Sequence, residues 1–511
     1  MVPTVFVELD EMPETLNGKI DLKSLPEPVI ESNYVAPETE LEQRICWVYE
    51  SVLGLDNVGV EDNFFEIGGT SLLASNVIIK LLKQDYVIKY DDIFKNQTPK
   101  KLADFLLGGK SKEDMQGSEL ETYDYTKINN LLKENTFENI TCGKKYDLGN
   151  VLLTGVTGFL GIHILYEYIK NECGTIYCML RKGNFDSVQD RLIDLLNYYF
   201  DEDLSAFFGN RIVAVEGDIT NFDDFKKFEK YNIDTLINSA AVVKHYSHDD
   251  YIYRVNVDGV INGLVFCENN NVRFVQISTI SAVNLYKCEF NVSDVVCDEK
   301  TLYWGQDLSN VYVNTKFRAE KLILTRALHG LDVKIIRLGN LMGRYCDGVF
   351  QKNYDTNAFL NNVKAIKNLG VINHSLNDKL VELSPIDYVA KAVLLLSKTP
   401  KKSRIFYCEN NKFIPAGDVF DVLKAFGHEI SCVSTDELTK LFKENMDEGI
   451  QGLIMDDLSI DGIDFDRQYF NVINMDQSLK ILSELGFEGP ESDEKYLKQF
   501  INYLNTLNFF D

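Results

Sequence analysis

Val151-Leu-Leu-Thr-Gly-Val-Thr-Gly-Phe-Leu-Gly161 reads as a short buried strand, a turn punctuated by three glycines, and the opening of a helix. Glycines at these places permit a tight turn and let the backbone approach a pyrophosphate, whose charge then meets the N–H groups at the helix N-terminus. Thr154, Gly155, Thr157, Gly158, Phe159, Leu160 and Gly161 are therefore candidate dinucleotide contacts. As a bare pattern the loop is weak. Its place at the head of a strand and helix series gives it meaning.

Working outward, a helix is expected over 162–171, with strands over 175–180, 211–215, 235–238, 273–278 and 333–338. Strands alternating with helices predict a parallel sheet with right-handed crossovers. From about Gly343 the alternation fades into mostly helical sequence, read as a substrate-side subdomain. Ahead of residue 151 lies a different pattern. Helices are expected over 38–53, 71–84 and 100–107, a bundle of about 75 residues, followed by a Gly-, Ser- and Lys-rich stretch over 108–117 with the composition of a flexible linker. A polar helical segment should lead from there to about residue 150.

At 511 residues the chain exceeds one ordinary core, and 45% hydrophobic with 25% charged residues is a packed globular composition. The formal charge of −26 argues against a nucleic-acid partner and requires any anionic cofactor to find local cations. Ten cysteines without a C-x-x-C pair read as reduced thiols. With no signal peptide and no run of 18 apolar residues, no membrane partner and a cytoplasmic location are expected.

Local cations stand where they are needed. The strand over 175–180 runs into Arg181-Lys182, where an NAD enzyme usually has an acid for the ribose 2′-hydroxyl, so a 2′-phosphate and hence NADPH are favoured. Gly217-Asp218-Ile219 and Asn238-Ser239-Ala240-Ala241 end later strands at the same edge. Asp218 is placed to accept from an adenine amino group, and the small residues leave room for the cofactor.

Tyr312 and Lys316 lie four apart, hence on one helix face. A neighbouring ammonium favours the phenolate, which should lower the Tyr312 pKa toward general-acid work. They follow a strand ending Ser278-Thr279, whose hydroxyl can share an oxyanion with the phenol. Strand alternation turns neighbouring hydroxyls to opposite faces, and Thr279, over Ser278 or Ser281, is the one expected to face Tyr312. Tyr123 and Lys127 repeat the spacing and are read as a solvated helix face. His245 and His248 with Asp249 and Asp250 lack a third convincing ligand and are read as a polar loop, so no metal is expected. Lys244 and His245 are placed on the substrate side, and Trp47 and Trp304 are assigned no role beyond packing or contact with a neighbour.

From Val151 onward the chain resembles the extended short-chain dehydrogenase/reductase family, and within it the thioester reductase domains that terminate nonribosomal peptide synthetases. Arg337-Leu-Gly-Asn340-Leu-Met-Gly-Arg344, Asp347-Gly-Val-Phe-Gln351 and Leu383-Ser-Pro-Ile-Asp387 are similar to further segments of those domains. The resemblance implies a Rossmann-like fold, Thr279, Tyr312 and Lys316 as catalytic trio, Lys316 also holding the nicotinamide ribose, and Asn340 near the cofactor. Asp62-Asn-Phe-Phe-Glu-Ile-Gly-Gly-Thr70-Ser71-Leu-Leu resembles the attachment motif of peptidyl carrier proteins, which implies 4′-phosphopantetheine on Ser71, installed by a phosphopantetheinyl transferase. Read from the residues alone, Ser71 would be a helix N-cap. Asn17-Gly-Lys19-Ile-Asp21 is similar to the closing motif of adenylation domains, so the chain is expected to be an excised piece of a longer synthetase with Lys19 stranded.

The expected organisation is an adenylation remnant over 1–30, a small all-α carrier over 35–108, a linker and helical lead-in over 109–150, and an α/β reductase over 151–511. Within the reductase, the Rossmann-like core is set at about 151–340 and a mostly helical substrate subdomain mainly at 341–511. The function implied is NADPH-dependent release of an acyl or peptidyl thioester, supplied by upstream synthetase modules, as an aldehyde or further as an alcohol. Three other readings stand: a redox-silent cyclising release domain, which would not need Tyr312; a sugar-nucleotide epimerase or dehydratase, which would have no use for Ser71; and a docking piece without catalysis.

Overall fold

The computed structural model describes residues 34–107, 119–134, 147–243, 251–283, 296–434 and 472–510, except 83, 85, 87, 89, 307 and 309, with a few short pieces between 437 and 463. Lys19, the whole 108–117 linker, and Lys244, His245, His248, Asp249 and Asp250 lie outside the described residues. The chain divides into two compact units, one containing residues 1–116 and the other residues 117–435 and 466–511.

In the first unit, helix α1 (Glu40–Leu53) starts two residues later than expected because Thr39 and Glu42 form a reciprocal capping box. The Thr39 hydroxyl accepts from Glu42 N at 3.2 Å, and the Glu42 carboxylate accepts from Thr39 N at 2.8 Å. Gly54, at φ +71°, ends the helix. Helices α2 (Ser71–Leu82), α3 (Tyr90–Lys95) and α4 (Pro99–Leu106) follow. A Cβ on Gly69 would lie 2.4 Å from the Phe64 ring and carbonyl, so glycine is required where the loop folds over that buried ring. Thr70, not Ser71, caps α2: its hydroxyl accepts from Leu73 N at 3.2 Å, which puts Ser71 at the first helical position.

The second unit opens with α5 (Thr126–Lys133) and then builds a parallel sheet. Its strands are β1 (Val151–Thr154), β2 (Ile176–Leu180), β3 (Ile212–Glu216), β4 (Thr235–Asn238), β5 (Arg273–Thr279), β6 (Val333–Leu338) and β7 (Ile405–Cys408). Their order is β7-β6-β5-β4-β1-β2-β3, with Val151 opposite Ile176 on one side and Thr235 on the other. β1, β4 and β6 are buried throughout, as a sheet covered on both faces requires. Side-chain alternation divides the core: Val151 and Leu153 pack with helices α6 (Phe159–Asn171) and α7 (Val188–Tyr199), whereas Leu152 packs with α8 (Gly259–Asn270) and α9 (Val311–Leu328).

One boundary differs from the sequence reading. The sheet does not stop near residue 340, because β7 comes from residues 405–408 and helix α10 (Ile386–Ser397) packs beside α6 in the same core. This strand stands apart from the regular strand and helix series, and its register with β6, Ile405 opposite Ile335, is what joins it to the sheet. Tyr123 is also not helical, since α5 begins at Thr126; its ring sits 3.8 Å beneath the Lys321 ammonium instead of sharing a face with Lys127.

Candidate active site

The carboxyl ends of β1, β2, β3 and β4 open onto a cleft of about 390 Å³. Gly155, at φ +72°, forms its floor, and a Cβ there would come within 2.4 Å of Ala240 N. Gly158 N donates to Gly155 O at 2.9 Å, closing the turn, and a Cβ on Gly161 would meet Gly155 O at 2.2 Å. Gly158 precedes α6 without a side-chain cap, so the first-turn N–H groups face the cleft mouth beside Thr157. A pyrophosphate fits this cradle by both shape and charge. Thr154 lies below it, buried, with its hydroxyl on Asn238 Oδ1 at 2.5 Å; Ser239 Oγ donates to Thr154 O at 2.7 Å. Phe159 and Leu160 turn into the core instead of the cleft.

At the β2 end, Arg181 Nη1 stands 3.6 Å from Asp218 Oδ2 and donates to the Tyr251 hydroxyl at 2.9 Å. Arg191, from α7, donates to Arg181 O at 2.5 Å, so two guanidinium groups share one wall. Asp218 also accepts from the backbone and hydroxyl of Thr220, each at 2.9 Å. Ile219, Ser239, Ala240 and Ala241 line the cleft. Lys182 is exposed and is not part of the lining. Asn340 is also elsewhere, with its backbone N–H on Glu382 Oε2 at 2.5 Å.

Thr279 is the last residue of β5, and its side chain acts on the Tyr312 phenol. Ser278 points the other way and donates to Glu320 at 2.6 Å. Asn310 starts α9 by accepting from Tyr312 N at 3.0 Å and Val313 N at 3.1 Å, which fixes Tyr312 in the first turn. Lys316 Nζ lies 6.0 Å from the Tyr312 ring centroid and donates to Ile277 O at 3.0 Å. All three side chains meet, but the charge balance differs from expectation. Burial pushes the Tyr312 phenol up to about 12, with Thr279 acting against it. Burial also brings Lys316 down to about 8, opposed by Glu320. Desolvation of both groups outweighs their mutual effect, so the phenol stays protonated.

Asn256 was not legible in the sequence. It sits on a π-helical turn, Arg254–Asp258, accepts from Val242 N at 2.9 Å, and donates to Val242 O and Thr315 Oγ1 at 3.1 Å. It thereby joins the cleft wall to the Tyr312–Lys316 turn. A π turn adds a residue that no 3.6-residue period reveals. Among the described residues no cluster of three metal-ligating side chains occurs, and no helix is long and apolar enough to cross a membrane.

Residues 153–393 match the family model described as male sterility protein, an NAD-binding domain, and residues 43–106 match that of the phosphopantetheine attachment site, which spans Ser71. Across 94% of this chain and 100% of the other, the structure is similar to a thiolation-reductase di-domain from an archaeal nonribosomal peptide synthetase, with 56% sequence identity and a TM-score of 0.87. The chain belongs to this di-domain family. The di-domain is also similar, at 25% identity and a TM-score of 0.63 over 76% of this chain and 100% of the other, to the reductase domain of the aureusimine biosynthetic cluster. A linear gramicidin synthase polypeptide of Brevibacillus parabrevis is 26% identical over 98% of the di-domain, which spans only 10% of that protein's length.

Proposed function

We propose that this di-domain reductively releases an aminoacyl or peptidyl thioester held on Ser71 through 4′-phosphopantetheine. A phosphopantetheinyl transferase installs the arm, upstream synthetase modules supply the acyl group, and the reaction takes place in the cytoplasm. The protonated Tyr312 phenol, beside Lys316 and acted on by Thr279, carries the reading, because it is a ready proton donor where a carbonyl oxygen gains charge.

NADPH, when bound, supplies the hydride. Gly155, Gly158 and the first turn of α6 take its pyrophosphate, and Arg181 with Arg191 takes the 2′-phosphate, charge-assisted contacts that favour NADPH over NADH. Lys316 holds the nicotinamide ribose, and Asn340 follows β6 by two residues, at the carboxyl edge of the sheet. As the thioester carbon gains its hydrogen, Thr279 and Tyr312 stabilise the oxygen and Tyr312 gives it a proton. The tetrahedral thiohemiacetal then collapses: the carbon–sulfur bond breaks with its electron pair on sulfur, the hydroxyl proton leaves, and the products are an aldehyde and the free thiol of the arm. Tethering raises the local substrate concentration and offsets modest binding contacts.

The test is NADPH absorbance with the full chain, phosphopantetheinylated and loaded with a series of aminoacyl groups. Oxidation that requires both loading and Ser71 supports the reading. An absorbance that stays constant with every acyl group sinks it.

A further inference from the structure

Behind the trio lies a charged layer that the steps above leave unused. Glu320, one turn beyond Lys316 on α9, is fully buried and accepts three hydrogen bonds: from Ser278 Oγ at 2.6 Å, Arg337 Nε at 3.1 Å and Arg337 Nη2 at 2.7 Å. Arg337, buried on β6, gives Nη1 to the Tyr407 hydroxyl on β7 at 2.8 Å. Three neighbouring strands and one helix are thus tied at a single level of the sheet.

Stability alone does not call for such a pair. Two desolvated charges in a core are often replaced by packed apolar residues of similar volume without loss of stability. The partners of this pair point to another role. Ser278 directly precedes Thr279, so anchoring its hydroxyl fixes the pleat that turns Thr279 toward Tyr312. Glu320 stands four residues from Lys316, under the same helix face.

We infer that Glu320, clamped by Arg337, is a positioning residue for the reduction: it sets the register in which Thr279, Tyr312 and Lys316 meet and supplies the counter-charge beneath the Lys316 ammonium. The inference rests on the reading of that trio as the reducing site. Burial works against the ammonium, and the Glu320 charge is what opposes it. Around Lys316, α9 contributes Tyr312 and Glu320, β5 contributes the Ile277 carbonyl and Thr279, β6 contributes Arg337 bound to Glu320, and Asn256 with Thr315 is neutral.

Two variants of the loaded full chain test it. E320Q keeps an acceptor oxygen and the side-chain shape but removes the charge; the basic limb of its kcat profile is expected about one pH unit lower. The double variant E320M/R337M removes the pair without stranding a charge; kcat is expected to fall about tenfold to a hundredfold with the melting temperature retained. A purely structural pair would move stability and leave the pH limb in place. If wild type oxidises NADPH while E320Q keeps the wild-type limb, or a folded double variant keeps the wild-type kcat, the positioning role is overturned alone. If wild type oxidises no NADPH with any loaded acyl group, the reading of the trio falls and takes this inference with it.

Discussion

Replacing Tyr312 by Phe removes one oxygen and nothing else. The ring is 8% exposed and the phenyl group fills the same space, so core packing is retained. The stability cost is that of one hydrogen-bonding group, about 1 kcal/mol. Thr279 keeps its contact with Ser281 N, from which it accepts at 3.2 Å. The kinetic cost is larger. With the phenol pushed up to about 12, Tyr312 is the protonated donor facing the developing oxyanion, and losing one such donor typically costs about 10²–10³ in kcat, or about 2.7–4 kcal/mol. The assay is single-turnover NADPH oxidation by the acylated chain, with the melting temperature as control. Y312F is expected to load normally, to melt within a few degrees of wild type, and to oxidise NADPH at least about a hundredfold more slowly. A loaded Y312F that releases its acyl group at the wild-type rate would refute the reasoning and favour a cyclising site.

Four further outcomes follow from the geometry. R191A should raise the NADPH Kd about tenfold to a hundredfold and leave NADH nearly unchanged, by fluorescence titration, because one charge-assisted contact is lost only where a 2′-phosphate is present. G155A should abolish binding of both nucleotides: its Cβ would sit 2.4 Å from Ala240 N on a backbone already at φ +72°. The kcat of the wild type should fall as pH rises through the Lys316 value, about 8, since the ammonium is the working form. Burial raises Glu382 to about 7 and Glu409 to about 8, the latter with Glu382 repulsion added. The folded state therefore holds extra protons between the ordinary carboxyl range and about pH 8, and stability declines as pH rises through that window. E409Q should flatten this decline in melting temperature between about pH 5 and pH 8.

What could be read from the sequence followed from local rules. Apolar runs marked six of the seven strands, and period-two alternation picked Thr279 over Ser278, because both depend only on neighbouring residues. What could not be read depends on tertiary placement. Arg191 reaches Arg181 only because α7 folds back over the β2 end, and the Arg337–Glu320 pair exists only when β6 lies against α9. The spacing of Tyr312 and Lys316 correctly put them on one face, yet it suggested a lowered phenol, since no sequence pattern reports how deeply both groups are desolvated. Tyr123 and Lys127 have the same spacing without sharing a helix, so spacing needs its structural frame.

The central claim is that release is a hydride transfer to a thioester on Ser71. It is tested most directly by loading the full chain with an aminoacyl-phosphopantetheine arm, adding NADPH, and following cofactor oxidation and the released species together, with aldehyde trapping and mass spectrometry. At least one NADPH should be consumed per acyl group released, with a trapped aldehyde as first product, and both should be lost in S71A. Release of the acyl group as an acid or a cyclised product, with NADPH unchanged, would contradict it.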